Sequence, residues 1–142
     1  MSTGKKLRKG IIIPNDNNTI SEAEIKHISR IDYPIFSFKH LQEVSFDKCK
    51  DVKFFMGLLK RLKGYSELGW KQMATDKKHG YGWEFLPQEQ IEQALPKSVT
   101  PEVDLMVLRA SNDNKALVGF REWNIFHILF IEANFNDIYN HG

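Results

Sequence analysis

Three apolar runs lie close together in the last third of the chain, and they limit what it can fold into. The runs are DLMVLRAS, KALVGFREW and NIFHILFIEANF, and each is rich in Val, Ile, Leu or Phe. The segments between them, Asn112-Asp113-Asn114 and Glu122-Trp123-Asn124, are short and polar, as is typical of turns that reverse a chain. The pattern predicts a three-stranded antiparallel meander.

The residues before the meander carry a helical pattern. Ser45 is a suitable N-cap, and it is followed by apolar residues at spacings of three and four, namely Phe46, Cys49, Val52, Phe55, Met56, Leu59 and Leu62. Gly64 is expected to end this helix, and Ser66 to cap a shorter one that runs to about Ala74. We expect the first helix to bury its apolar stripe against the meander, with contacts to Val107, Val118, Phe120, Ile128 and Phe130.

These patterns predict an α+β fold. An α-hairpin and minor helices would pack on a mainly antiparallel β-sheet of about three to five strands that includes the C-terminal β-meander. We expect residues 1–10 to form a flexible basic tail and residues 11–142 to form a single domain. Within that domain, Ile11–Ile13 and Ile35–Lys39 are candidate strands, and Ser21 could begin a brief helix that ends near Arg30.

Composition limits the class of protein. A single cysteine, Cys49, excludes an internal disulfide framework and a cysteine-cluster metal site. The longest apolar run is too short to span a bilayer, and the N-terminus does not read as a signal peptide, so we expect a cytoplasmic protein with no membrane association. The charges are uneven, since residues 37–80 are basic and residues 81–142 are acidic. The basic segment could attract an anionic partner, or its lysines could simply solvate a helix.

The meander carries four polar side chains within its strands, Arg109, Arg121, His127 and Glu132, and Tyr139 and His141 follow shortly after. Alternation along a strand predicts that Arg109 shares a face with Val107, and that His127 shares one with Leu129 and Ile131. A three-residue turn before the last strand would put Arg121 and His127 on one face of the sheet. A two-residue turn at Trp123-Asn124 would instead place Phe120 opposite His127 and put Arg121 on the other face.

An arginine can bind a phosphate while a histidine transfers a proton near neutral pH. Such a pair can cleave RNA without a metal or another cofactor, because the ribose 2′-hydroxyl is the nucleophile. The candidate catalytic residues are His127, Arg121, Arg109 and His79, and the candidate substrate-binding residues are Lys77, Lys78, Tyr139 and His141. The histidines lack metal-ligand spacing, so no metal is expected. The structural alternative is that His127 is a core histidine and the arginines lie solvated over the sheet.

The order of elements over residues 45–139, two helices followed by a meander with arginines on its strands, resembles the layout of RelE/HigB-type toxins. That resemblance implies mRNA cleavage on the ribosome and a small antitoxin as partner. Arg109 and Arg121, with Tyr139 or His141, would then correspond to the functional residues of the family. This chain differs from that layout in an additional N-terminal portion of about forty residues and in the segment from Asp76 to Pro101.

Two functions follow as hypotheses. The first is a small intracellular, metal-independent RNA-cleaving toxin of a toxin–antitoxin-like system, with RNA or the ribosome and an antitoxin as partners. The second is a non-enzymatic interaction module, in which a basic helix face binds a partner and the polar strand residues are structural.

Overall fold

The computed structural model describes residues 10–12, 19–23, 31–47 and 50–142. The chain divides into two compact units, residues 1–32 and residues 33–142. In the first unit, β1 (Gly10–Ile12) pairs antiparallel with β2 (Thr19–Ser21). The predicted basic tail and the helix predicted between Ser21 and Arg30 lie almost wholly outside the described residues, as does Cys49. The single domain expected over residues 11–142 stays a prediction.

The second unit is built on a five-stranded mixed sheet with strand order β3-β7-β6-β5-β4. Its strands are β3 (Ile35–Ser37), β4 (Glu84–Leu86), β5 (Leu105–Arg109), β6 (Ala116–Glu122) and β7 (Ile125–Ile131). β5, β6 and β7 form the predicted meander, and β4 extends it antiparallel, whereas β3 pairs parallel to β7. The predicted α+β fold class, with a mainly antiparallel sheet, is confirmed.

The helices are α1 (Val44–Asp47), α2 (Val52–Leu68) and α3 (Trp70–Met73), followed by a 3₁₀ turn at Gln88–Gln90. The predicted helix start was wrong, because the N-cap of α2 is Asp51, whose Oδ1 accepts a hydrogen bond of 2.9 Å from the amide of Lys53. Ser45 has another role: it is buried, and its hydroxyl accepts a hydrogen bond of 2.9 Å from the amide of Ile131.

The end of α2 also differs from the prediction. Gly64 lies inside the helix, where the Tyr81 ring packs so closely that a Cβ at this position would come within 2.9 Å of it. Gly69 ends the helix instead, with a φ of 85° that favours glycine. Contact with the Tyr81 ring, rather than the end of a helix, therefore explains the glycine at position 64. The helical spacing of the sequence does not reveal this contact.

Both faces of the sheet are covered. One face packs against the helices through Leu58, Tyr65, Trp70 and Met73, which meet Met106, Leu108, Leu117, Phe126 and Ile128. The other face is covered by the irregular segments around residues 86–103 and by the C-terminal residues, through Leu86, Val99, Leu105, Val107, Val118, Leu129, Phe130, Ile138 and Tyr139. Burial on both faces explains why the strand sequences are almost continuously apolar.

Most of the core contacts predicted for the first helix were wrong, although Leu62 and Ile128 belong to one apolar cluster. Leu58, Arg61 and Tyr65 are the buried residues of α2, whereas Leu59 remains 60% exposed and Phe46 58% exposed. Val107, Val118 and Phe130 lie on the opposite face of the sheet. The exposed stripe of α2 instead borders an apolar groove, here named the α2 groove, lined by Phe38, Leu41, Phe46, Phe55, Leu58, Leu59, Leu62 and Ile131.

A β-bulge in β7 decides which side chains share a face. Val118 pairs with Phe130 and Gly119 pairs with Ile128, so Leu129 is the extra residue. Beyond the bulge the alternation is reversed, and Ile131 packs on the helix side rather than with His127 as predicted. The bulge requires Gly119, because a Cβ there would lie 2.1 Å from the carbonyl oxygen of His127.

In the part of the chain that the structure describes, no helix combines the length and apolar character needed to cross a membrane.

Candidate functional site

A polar cavity of about 360 Å³ lies on the sheet face away from the helices, beside the end of β5, and is here named the C-terminal cavity. It is lined by Lys78, His79, Glu84, Leu86, Gln90, Arg109, Asn114, Phe135, Tyr139, Asn140 and His141. Its volume falls within the range of small-molecule sites. Five of the eight residues predicted as site residues lie around it, namely Lys78, His79, Arg109, Tyr139 and His141.

Arg109 is the central cation of this cavity, and it is only 2% exposed. Its Nη2 lies 2.6 Å from Oε2 of Glu84, and its Nη1 donates to the carbonyl oxygen of Asn114 at 2.9 Å. Lys78 approaches the same carboxylate, with its Nζ 3.6 Å from Oε1 of Glu84. Among the described residues, Nε of Arg109 is buried without a hydrogen-bond partner. Lys78 and Arg109 therefore share the single carboxylate of Glu84.

Helix α2 fixes the backbone at the end of β5. The Tyr65 hydroxyl donates to the carbonyl oxygen of Arg109 at 2.8 Å and accepts from its amide at 2.9 Å. Arg61 donates to the Tyr65 hydroxyl at 3.0 Å. Burial raises the pKa of Tyr65, with Arg61 opposing the shift, so the phenol keeps its proton for this hydrogen bond. Arg109 is thus held from both its backbone and its side chain.

The loop that carries Lys78 and His79 is ordered by Asp76. Its side chain accepts hydrogen bonds from the amides of Lys77 at 2.7 Å and of Tyr81 at 3.0 Å, which together lower the pKa of Asp76. Gly82 is required here, because a Cβ would lie 2.5 Å from the carbonyl oxygen of Asp76.

Arg61 secures the same loop from the helix side. Its guanidinium donates to the carbonyl oxygen of Gly80 and lies 4.2 Å from the centre of the Tyr81 ring. One buried arginine therefore links α2 to the His79 loop, which keeps that loop next to Arg109.

A buried carboxylate orients His141. Glu132 is 0% exposed, and its two oxygens lie 2.8 Å and 2.9 Å from Nε2 of His141. The same carboxylate accepts from the amides of Ala116 at 2.9 Å and Asn136 at 3.0 Å. Because every partner donates to Glu132, the hydrogen of the neutral imidazole is assigned to Nε2, which leaves Nδ1 able to accept a proton. The β7 bulge is what brings Glu132 to this face.

Tyr139 packs between these groups. Its ring stacks on that of His141 with centroids 4.2 Å apart, and Nη1 of Arg109 approaches its hydroxyl at 3.5 Å. Burial raises the pKa of Tyr139, although Arg109 acts in the opposite direction. The phenol is therefore neutral at physiological pH and can donate a hydrogen bond to a ligand.

His127 and Arg121 are not brought together. The turn at Trp123-Asn124 has two residues, so Phe120 lies opposite His127 and Arg121 lies opposite Phe126. Arg121 points to the helix side, where its guanidinium lies 4.0 Å from the centre of the Trp70 ring. The register that would have placed this pair on one face is wrong, because Glu122 and Ile125 pair directly.

His127 lies near the other end of β7 from Glu132. Its ring stacks on Phe120 with centroids 4.9 Å apart, and its Nε2 lies 3.1 Å from Oε1 of Glu122. His127 is buried, as expected of a core histidine. Lys77 also lies outside the lining of the C-terminal cavity, and its carbonyl oxygen accepts from the amides of Gly80 and Gly82.

Sequence reasoning missed Glu84, Arg61, Tyr65 and Asp76. Glu84 could have been identified from the sequence, because it is an acidic residue between two aromatic residues, Trp83 and Phe85. Arg61 and Tyr65 resemble ordinary helix residues, and only the packing of α2 on β5 gives them a role. Glu132 and His141 were both identified as polar residues in or beside the meander, but their pairing was not predicted.

Within the described ranges, no three His, Cys, Asp or Glu side chains are grouped so that they could hold a metal ion. Comparison with known proteins assigns no family, because no protein-family model, curated protein or solved structure matches the chain. Function is therefore inferred from the side chains of the cavity.

Proposed function

We propose that the protein cleaves RNA at the C-terminal cavity by a metal-independent reaction. The observation that carries the proposal is the buried Glu132 carboxylate, which orients His141 in a cavity that also contains His79, Lys78 and Arg109. Cleavage through the ribose 2′-hydroxyl requires a base, an acid and positive charge near the phosphate, and all three are represented there.

His141 is the proposed general base. Its Nε2 is engaged by Glu132, so Nδ1 would accept the proton of the 2′-hydroxyl. The resulting 2′-alkoxide attacks the adjacent phosphorus, and the bond from phosphorus to the 5′-oxygen breaks to leave a 2′,3′-cyclic phosphate. His79, which is exposed in the cavity lining, would donate a proton to the departing 5′-oxygen.

Charge developing on the phosphate would be stabilised by Lys78 and by the Tyr139 hydroxyl. Lys78 is more suited to direct contact than Arg109, since its side chain is 52% exposed and that of Arg109 is 2% exposed. Arg109 would act mainly by holding Glu84 and by adding positive potential beside the cavity.

The finer form of this proposal is a cytoplasmic toxin of a toxin–antitoxin system that acts on RNA, alone or on the ribosome. It predicts growth arrest when the chain is expressed by itself, and relief of arrest by substitution of His141 or His79. This form is the one that the resemblance in element order to RelE/HigB-type toxins implies.

The test is cleavage of a fluorogenic oligoribonucleotide by the purified chain with EDTA present. We expect His141→Ala and His79→Ala each to reduce kcat by about 10²- to 10⁴-fold, the usual contribution of a general acid or base. An oligonucleotide with 2′-deoxyribose at the cleavage position should not be cut. Cleavage of that substrate, or full activity of both variants, would contradict the proposal.

Two matched controls are available in the chain. Lys77→Ala should leave cleavage unchanged while Lys78→Ala weakens it, because only Lys78 lines the cavity. His40→Ala serves as the control for loss of a histidine, since His40 packs against His127 at a centroid distance of 5.2 Å, away from the cavity lining. Circular dichroism should show that all variants are folded.

A second candidate function is a non-enzymatic interaction module. The specific observation in its favour is the α2 groove, whose walls are apolar side chains left exposed on α2 and the preceding segment. Wild-type protein that is folded, fails to cut RNA and causes no growth arrest would favour this function over cleavage.

A further inference from the structure

We propose that the α2 groove binds an acidic amphipathic helix of another protein. This inference does not depend on the C-terminal cavity, because the two share no lining residue. It rests on the exposed apolar residues of α2 and on the charges beside them.

The exposed stripe has the spacing of a helix-binding surface. Val52, Phe55, Met56 and Leu59 recur at intervals of three and four along α2, and each is exposed. The stripe from Val52 to Leu62 covers about 15 Å at 1.5 Å per residue, which is about three turns. A helix lying along it could insert apolar residues at positions i, i+3, i+4 and i+7.

The second wall makes the surface concave. Phe38 and Phe46 are each more than half exposed, and they face the stripe across the groove whose floor includes Leu58 and Ile131. Large contiguous patches of exposed apolar residues usually mark an interaction site on a monomeric protein. A concave shape fits a cylindrical helix better than a flat sheet or loop.

Charge selects the partner. Lys53 and Lys60 lie a helical heptad apart and flank the stripe, and Lys39 follows Phe38 on the other side. The salt bridges among the described residues include none of these three lysines, whereas Lys63 is paired with Glu67 at 2.6 Å. The carboxylate of Asp51 is engaged at the N-cap of α2. Glu43, between Leu41 and Phe46, places one exposed carboxylate on the second wall, so the basic charge is concentrated on the α2 side of the groove. Glutamate or aspartate on the side of the partner helix that faces Lys53 and Lys60 would complement it.

The probe is a synthetic helical peptide about 14 residues long, which at 1.5 Å per residue spans about 21 Å and so extends beyond both ends of the stripe. It carries leucine at i, i+3, i+4 and i+7 and glutamate at the flanking positions. A second peptide has the same leucines with lysine in place of glutamate, and a third has the acidic composition scrambled. Binding to the full chain is measured by fluorescence anisotropy. We expect the acidic amphipathic peptide to bind at least about tenfold more tightly than the other two.

Variants of the groove separate shape from charge. Leu59→Ser should weaken binding of the acidic peptide without changing the net charge of the protein. The double variant Lys53→Glu with Lys60→Glu should instead bind the lysine-flanked peptide more tightly than the acidic one. Lys97→Glu is the charge control, because Lys97 is exposed and is not among the groove residues. None of these variants should change RNA cleavage.

Three results would overturn the proposal. The first is equal binding of the acidic and the lysine-flanked peptide, and the second is no measurable binding of the acidic peptide to the folded full chain. The third is a concentration-dependent dimer, seen by sedimentation and lost in Leu59→Ser, because a second copy would then occupy the groove.

Discussion

At the scale of single residues, the site depends on a few buried hydrogen-bonding groups. Tyr65 illustrates this, since its hydroxyl serves both the amide and the carbonyl oxygen of Arg109 and also accepts from Arg61. Three interactions converge on one atom in a position that is 0% exposed. Removal of that atom leaves buried donors and acceptors unsatisfied, which costs more than a typical hydrogen bond contributes.

We therefore expect Tyr65→Phe to reduce the free energy of unfolding by about 1–3 kcal/mol. Urea denaturation followed by tryptophan fluorescence measures the change. Tyr33→Phe is the matched control, because Tyr33 is 48% exposed and its substitution should have almost no effect. Equal stability of Tyr65→Phe and wild type would mean that water replaces the hydroxyl.

A second residue-scale prediction concerns pH. Burial lowers the pKa of His40 from its ordinary value of 6.5, and the neighbouring His127 and Lys39 lower it further, while Glu122 opposes them. The unfolded state then binds the proton more tightly than the folded state, so this contribution to stability is complete above about pH 6.5 and falls as pH decreases below it.

His40→Gln should accordingly flatten the dependence of stability on pH between about 7 and 5. The measurement is the urea midpoint at several pH values for both proteins. Asp76 affects a different range: its pKa is lowered by hydrogen bonds from the amides of Tyr81 and Lys77, so its contribution is lost only below about pH 4. If the urea midpoints of wild type and His40→Gln changed in parallel from pH 7 to 5, His40 would not be the source of this pH dependence.

At the scale of elements, the β7 bulge determines what the site contains. Without the extra residue Leu129, strict alternation would turn Glu132 toward the helices and away from His141. Gly119 permits the bulge, since its partner strand comes too close for any Cβ. The two-residue turn before β7 also constrains the backbone, because it holds Trp123, a non-glycine residue, at a φ of 58°.

Gly119→Ala should destabilise the protein by about 1–3 kcal/mol or more, as expected for overpacking against backbone. Gly57→Ala is the matched control, because a Cβ at Gly57 in α2 meets nothing within 4 Å. That control should be stabilised by roughly 0.5–1 kcal/mol through helix propensity. Thermal unfolding of the two variants beside wild type tests both signs at once, and a stable Gly119→Ala protein would contradict the role given to the bulge.

At the scale of the whole molecule, residues 33–142 hold a complete structure. The five-stranded sheet, helices α1 to α3, both apolar clusters, the C-terminal cavity and the α2 groove all lie within this unit. A layered arrangement with both sheet faces covered needs no further element to bury its strands.

A fragment of residues 33–142 should therefore fold by itself and unfold cooperatively. Circular dichroism and the sharpness of its urea transition, compared with those of the full chain, provide the measurement. We expect the slope of the transition to decrease in proportion to the smaller surface exposed on unfolding. A fragment without cooperative unfolding would show that residues 1–32 are needed for the core.

The sequence by itself determined the fold class and the meander, because apolar runs separated by short polar turns admit few other arrangements. It also identified five of the eleven residues that line the C-terminal cavity, Lys78, His79, Arg109, Tyr139 and His141, by the chemistry of their side chains. Only the tertiary structure decided which of them meet. The turn length at Trp123-Asn124 and the bulge at Leu129 separated Arg121 from His127 and joined Glu132 to His141. A shift of one residue in strand register reverses the face of every later side chain, and its energy depends on partners distant in the chain.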